Sequence, residues 1–191
     1  MTTLSAAGAS VAATLLLAAP AQAQEPVQYT VLATNKTSTM QKEMQEAADR
    51  GYRYSGVMGG ETSFGGSEVV VVMTRDGQPG RFSYRLLATN KTSTMQREMQ
   101  EAGDAGFEYL GQTVFNSTFG GKEVVVILER DSEAPVTTRY EYRLLATKKT
   151  STLQKELSEA GEQRFEFVGL TVAKTAMAGT EVVAILRRKP M

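Results

Sequence analysis

Three short stretches hold the residues best placed to do chemistry: Lys36-Thr37-Ser38-Thr39, Lys91-Thr92-Ser93-Thr94 and Lys149-Thr150-Ser151-Thr152. Each sets an ammonium group and a run of hydroxyls just ahead of an amphipathic segment. The first N–H groups of a helix have no partner within it, and its N-terminus carries positive charge. A Lys and hydroxyls there suit phosphate, sulfate or a carboxylate. Lys36, Thr37, Ser38, Lys91, Thr92, Ser93, Lys149, Thr150 and Ser151 are therefore the candidate anion-binding residues. The competing reading is capping. Ser38 with Gln41, Ser93 with Gln96 and Ser151 with Gln154 have the S-x-x-Q spacing of a capping box. Capping needs only the Ser and the Gln, and duplication then accounts for the rest. A glycine-rich phosphate loop, which would strengthen the anion reading, is missing.

Other candidates are weaker. Met40 with Met44 and Met95 with Met99 have a spacing that could hold soft copper. The third copy has Leu153 and Leu157 there, which pack like Met and bind no metal, so these positions read as core. The pairs Glu43/Glu46, Glu98/Glu101 and Glu156/Glu159 lie on polar helix faces. A catalytic carboxylate pair needs an enclosed pocket to separate its pKa values. Phe64 and Phe119 stand in loops ending in Gly-Gly or Gly-Ser. They fit either a partner contact or a lid folded onto the core. The chain has no His and no Cys. That removes disulfides, thiol catalysis, thiolate metal sites and the commonest general base. No catalytic residue, metal site or cofactor is expected. Lys+Arg and Asp+Glu stand at 21 each, so no net charge draws the chain to nucleic acid or anionic lipid.

The elements that position these residues come in three copies. LATNKTSTMQKEMQEA starts at Leu32, LATNKTSTMQREMQEA at Leu87 and LATKKTSTLQKELSEA at Leu145. Each is followed by an aromatic-Glu or aromatic-Arg turn, and then by EVVVVM, EVVVIL or EVVAIL. Within a copy the periods change in order. A short strand leads to a helix with apolar residues at i, i+4 and i+7 (Met95, Met99, Ala102), and glycines end it. An alternating strand and a strand apolar on both faces follow. The spacing predicts an α+β fold of three tandem β-α-β-β repeats. Each would form an antiparallel sheet of order 1-3-2 with one helix on one face. The repeats are bounded at 28–76, 83–131 and 140–189. A unit of about 50 residues is marginal alone, and a central strand apolar on both faces does not suit water. The units are thus expected to bury their second faces together in a compact pseudo-threefold assembly. The alternative is pairing of those faces with another chain, a homo-oligomer.

The pattern of each unit resembles a short bacterial β-α-β-β domain family of unknown function, usually present once per chain. The resemblance rests on the Tyr140-Glu141-Tyr142-Arg143 strand, the E-x-x-L-type helix, a Gly-aromatic-Glu turn and a final strand ending V-V-A-I-L-x-R. Tyr52, Phe107 and Phe165 stand where the family commonly has the Trp of its Gly-Trp-Glu-Leu-Val turn, and Arg164 replaces the preceding Gly. The likeness covers roughly residues 28–190. It implies a fold, and no activity or functional residue.

Residues 1–23 read as a secretory signal peptide. Val11 to Ala19 is apolar but too short to span a bilayer, and Ala21-Gln22-Ala23 supplies a cleavage pattern after Ala23. No Lys or Arg precedes the apolar run, and a buried N-terminal helix is the competing reading. The expectation is a periplasmic or extracellular protein with no integral membrane segment after cleavage. Its function is expected to be non-enzymatic binding or scaffolding in the bacterial cell envelope. The partner would be an unknown envelope protein or a small ligand, and not nucleic acid. Anion binding at the helix-entry loops is the alternative function.

Overall fold

The computed structural model describes residues 26–62, 66–117, 121–135, 137–175 and 179–190. The expected signal peptide and the loop residues Phe64 and Phe119 lie outside the described residues. The first unit comprises β1 (Tyr29–Thr34), α1 (Thr37–Asp49), β2 (Tyr52–Thr62) and β3 (Gly66–Arg75). The second comprises β4 (Phe82–Thr89), α2 (Thr92–Asp104), β5 (Glu108–Ser117) and β6 (Gly121–Asp131). The third comprises β7 (Glu141–Thr147), α3 (Thr150–Glu162), β8 (Glu166–Thr175) and β9 (Gly179–Arg188). The sheet orders are β1-β3-β2, β4-β6-β5 and β7-β9-β8, and every pairing is antiparallel. This is the α+β fold of three repeated units that the sequence predicts.

Local sequence accounts for these elements. Met40, Met44 and Ala47 lie one above another on α1, and all are fully buried. Gly51 and Gly106 follow their helices with φ of 85° and 83°, in the left-handed region that glycine tolerates. The third unit has Arg164 at that place, at φ 64°. An L-residue held there costs about 1 kcal/mol. Each second strand then has a register shift, between Tyr54 and Gly56, Tyr109 and Gly111, and Phe167 and Gly169.

The central strands have two usable faces. Val69, Val71 and Met73 of β3 face α1, and Val70, Val72 and Thr74 point to the far side. In β6 the helix face carries Val124, Val126 and Leu128, and the far face Val125, Ile127 and Glu129. A helix of 13 residues is about 20 Å long, and a strand of 10 is about 33 Å, so one helix does not roof its sheet. The next unit completes the roof. Val125 and Ile127, with Phe82 and Tyr84, join the core formed by α1 and Val69, Val71 and Met73. Val183 and Ile185, with Tyr140 and Tyr142, join the core of α2 with Val124, Val126 and Leu128 in the same way.

This corrects the expectation that the bare faces would meet each other. The far faces of the second and third units pack against the helix sides of the units before them. The contact is heterologous: it joins two different surfaces and can repeat. The pseudo-threefold assembly expected from the sequence accordingly takes the form of an open series, one on two and two on three. The first unit's far face and the third unit's helix side stand at its ends.

Candidate functional site

The helix-entry loops are built alike and lie one per unit. Lys36, Lys91 and Lys149 are the N-cap residues, extended in backbone and without a side-chain capping bond. The Thr two residues earlier fixes each turn: Thr34, Thr89 and Thr147 accept the Lys backbone N–H at 3.2, 3.1 and 3.2 Å. Ser38, Ser93, Ser151, Thr150 and the three Lys are exposed, while Thr37 and Thr92 are half-buried. The Thr92 hydroxyl is enclosed without a hydrogen-bond partner. The structure does not bring these loops together into one site.

The capping-box expectation is overturned. The Ser of each S-x-x-Q falls inside the helix, and two of the Gln side chains reach out to the next unit. Strands β4 and β7 pair on one side only, which leaves backbone groups to be satisfied on the other. Gln41 accepts the Leu86 N–H at 2.9 Å. Gln45 accepts the Tyr84 N–H at 3.2 Å and donates to the Phe82 carbonyl at 3.3 Å. Gln96 accepts from Leu144 N–H at 2.7 Å and donates to the Tyr142 carbonyl at 2.8 Å. Gln100 does the same with Tyr142 and Tyr140, at 3.0 and 3.3 Å. A column of helix glutamines thus stands in for a missing strand.

The other side of each seam is built on tyrosine. Tyr84 and Tyr142 come from the first strands of their units and are 4 % and 3 % exposed. The Tyr84 hydroxyl accepts the Tyr54 N–H at 2.9 Å and donates to Glu129 at 2.9 Å. The Tyr142 hydroxyl accepts the Tyr109 N–H at 2.6 Å and donates to the Phe107 carbonyl at 3.0 Å. Burial pushes the phenols of Tyr84, Tyr109 and Tyr142 far up, out of reach of ordinary pH. Tyr140 is pushed up to about 12, first by burial and then by its hydrogen bond to Glu108. Because each phenol is held neutral in the fold, its contribution to stability is full below pH of about 10 and declines as pH rises further, where the unfolded phenols ionise first.

A charge pair closes each seam, and its polarity reverses. At the first seam Arg53 grips Glu129 through Nε and Nη2, at 3.1 and 2.8 Å, and its guanidinium covers the Phe82 ring. At the second seam Glu108 takes the place of Arg53, Arg187 takes the place of Glu129, and the two pair. Arg53 opposite Arg187, or Glu108 opposite Glu129, would repel. The reversal therefore favours the two contacts the chain makes and penalises seating the third unit's far face on the first unit's helix side.

Two sites named from the sequence resolve into packing. Met40, Met44, Met95 and Met99 are fully buried in the two cores. Glu46, Glu101 and Glu159 face Lys42, Arg97 and Lys155 on exposed helix surfaces, at 3.8, 3.7 and 3.7 Å. Among the described residues no group of three or more acidic side chains is placed to hold a metal ion, and no helix is long and apolar enough to cross a membrane. The seam residues were missed from the sequence, although one signal was there. Aligning the copies places Arg53 over Glu108 and Glu129 over Arg187, an exchange of sign at two positions at once.

Comparison of the chain with models of protein families, with curated proteins and with solved structures finds no match.

Proposed function

We propose that this chain is an exported, non-enzymatic binding or scaffolding protein of the bacterial cell envelope, acting by surface contact. One observation carries the reading. The surfaces buried at both seams occur once more, uncovered, at the ends of the series. Tyr29, Val31 and Met58 on the first unit's far face are 64 %, 63 % and 54 % exposed. Phe167, Leu170 and Val172 on the third unit's helix side are 56 %, 50 % and 41 % exposed. Apolar patches of this kind, built from residues that neighbouring units use to bind, mark contact sites. The ionisable side chains at and beside the seams are instead held in salt bridges within and between units, which suits a scaffold better than catalysis.

Export rests on the leader read at residues 1–23. Photo-crosslinking in intact cells tests the whole reading. A photoreactive residue at Val31 or Leu170 is expected to give covalent adducts in the envelope fraction, and one at Glu46, on a polar helix face, none. A chain found only in the cytoplasm, or one giving no adducts from either end, would sink the proposal.

A further inference from the structure

The two ends are complementary halves of one interface. Among the described residues, the large apolar side chains exposed in the third unit's sheet lie on its helix side: Phe167 pairs with Leu186, Leu170 with Ala184 and Val172 with Val182. Those exposed in the first unit's sheet lie on its far face: Tyr29 pairs with Thr74, Val31 with Val72 and Met58 with Val70. A helix side meeting a far face is the contact already made twice within the chain. We infer that the occupant of each end is a second copy of this chain, with its first unit docked on the third unit of its neighbour. This inference rests on the contact-protein reading above and names its partner.

Steric details agree residue by residue. At the inner seams the hydroxyl of Tyr54 or Tyr109 lies on Gly111 or Gly169, where a Cβ would collide with it. Gly56 holds the same place in the first unit, and a Cβ there meets nothing within 4 Å. Its counterpart across an end-to-end contact is Phe167. Gly103 of α2 is pressed against Tyr140 and Tyr142, whereas its counterpart Gly161 on α3 meets nothing. Both ends thus keep the clearance that docking requires. Gln154 stands where Gln41 and Gln96 do, and the free β1 edge presents the Val31 N–H where β4 presents Leu86 and β7 presents Leu144.

Two features make this contact weaker than the inner seams. Ser158 replaces the second glutamine and bonds back to the Gln154 carbonyl at 3.0 Å. Glu166, in the place of Arg53 and Glu108, would face Thr74, in the place of Glu129 and Arg187, so no ion pair forms. The assembly is therefore a reversible head-to-tail chain, set by concentration.

Sedimentation of the chain from Gln24 onward, which contains every described element, tests this. Its mean mass should rise with concentration beyond one chain. Val31→Asp and Leu170→Asp alter exposed positions, so each should melt like the parent. Each should also stay monomeric, since each has lost one end. Mixed in equal amounts, they should form a dimer and go no further, because each retains the end the other lacks. Thr74→Arg supplies the missing partner for Glu166 and should tighten association about tenfold, while Thr74→Glu should weaken it. A parent chain monomeric at all concentrations overturns the proposal, as does self-association of either Asp variant or an equal response to Arg and Glu at 74. If the parent stays monomeric while both ends still crosslink to another envelope protein, self-assembly fails and the scaffold reading stands. If the ends crosslink to nothing, both fail.

Discussion

Tyr84 and Tyr29 hold the same place in successive units, on the same strand and the same face, as do Tyr109 and Phe167. Yet Tyr84 is 4 % exposed and Tyr29 64 %, and Tyr109 is 8 % exposed and Phe167 56 %. Local structure does not separate the members of either pair. The difference is whether another unit stands beyond. An inner seam and an end are thus one surface in two conditions, and the stability of the chain depends on which condition holds. Repeat proteins behave this way when intrinsic unit stability is low and contact between neighbours supplies the rest. The third unit's helix shows the consequence. Met40, Met44, Met95 and Met99 are fully buried, whereas Leu153 and Leu157 at the same places on α3 are half-buried.

The sharpest way to break the comparison is at the charge pair. Arg53→Glu would set a second carboxylate against Glu129, which is only 5 % exposed. Leaving a buried charge without its partner costs about 3–5 kcal/mol, and thermal unfolding should show the loss. Adding Glu129→Arg recreates the polarity of the second seam and should restore most of the stability. A double variant no better than Arg53→Glu would show that polarity does not set the order of units.

Glycine gives the next largest effect and a difference of sign. Gly103→Ala forces a Cβ onto the Tyr140 carbonyl and within 2.9 Å of the Tyr142 ring, and should cost about 1–3 kcal/mol. Gly161→Ala, at the same helical place, meets open space and should gain up to about 1 kcal/mol. Matching signs in denaturant titrations would mean that the neighbouring unit does not decide the outcome.

The smallest contrast concerns the glutamines. Gln96→Ala removes the partners of the Leu144 N–H and the Tyr142 carbonyl and should cost about 1–2 kcal/mol, with faster amide exchange at Leu144. Gln154→Ala, on an exposed helix face, should change monomer stability by less than about 0.5 kcal/mol. Equal losses would put the role of these glutamines inside the helix rather than across the seam.

The fold was legible because its signals are local and occur three times. Helical spacing of Met95, Met99 and Ala102 identified the helix. The doubly apolar Val124 to Leu128 could only be a central strand. The seams were legible in existence but not in kind. Apolar residues on the far face showed that something must cover it, and hydrophobicity carries no direction. The S-x-x-Q spacing misled for a related reason. A glutamine one turn into a helix can turn back to its own backbone or reach outward, and the neighbouring edge strand decides which.

The sequence by itself determined the three units, the strand order within each, and the absence of every chemistry that requires His or Cys. Periodicity, turn residues and composition act over a few residues and need no knowledge of the rest of the chain. Only the tertiary structure decided that helix side meets far face, that glutamines serve as a strand edge, and that two matching surfaces are left uncovered. Those outcomes depend on how far one helix extends over its sheet and on which backbone groups remain to be satisfied. Both quantities exist only once the units are placed against each other.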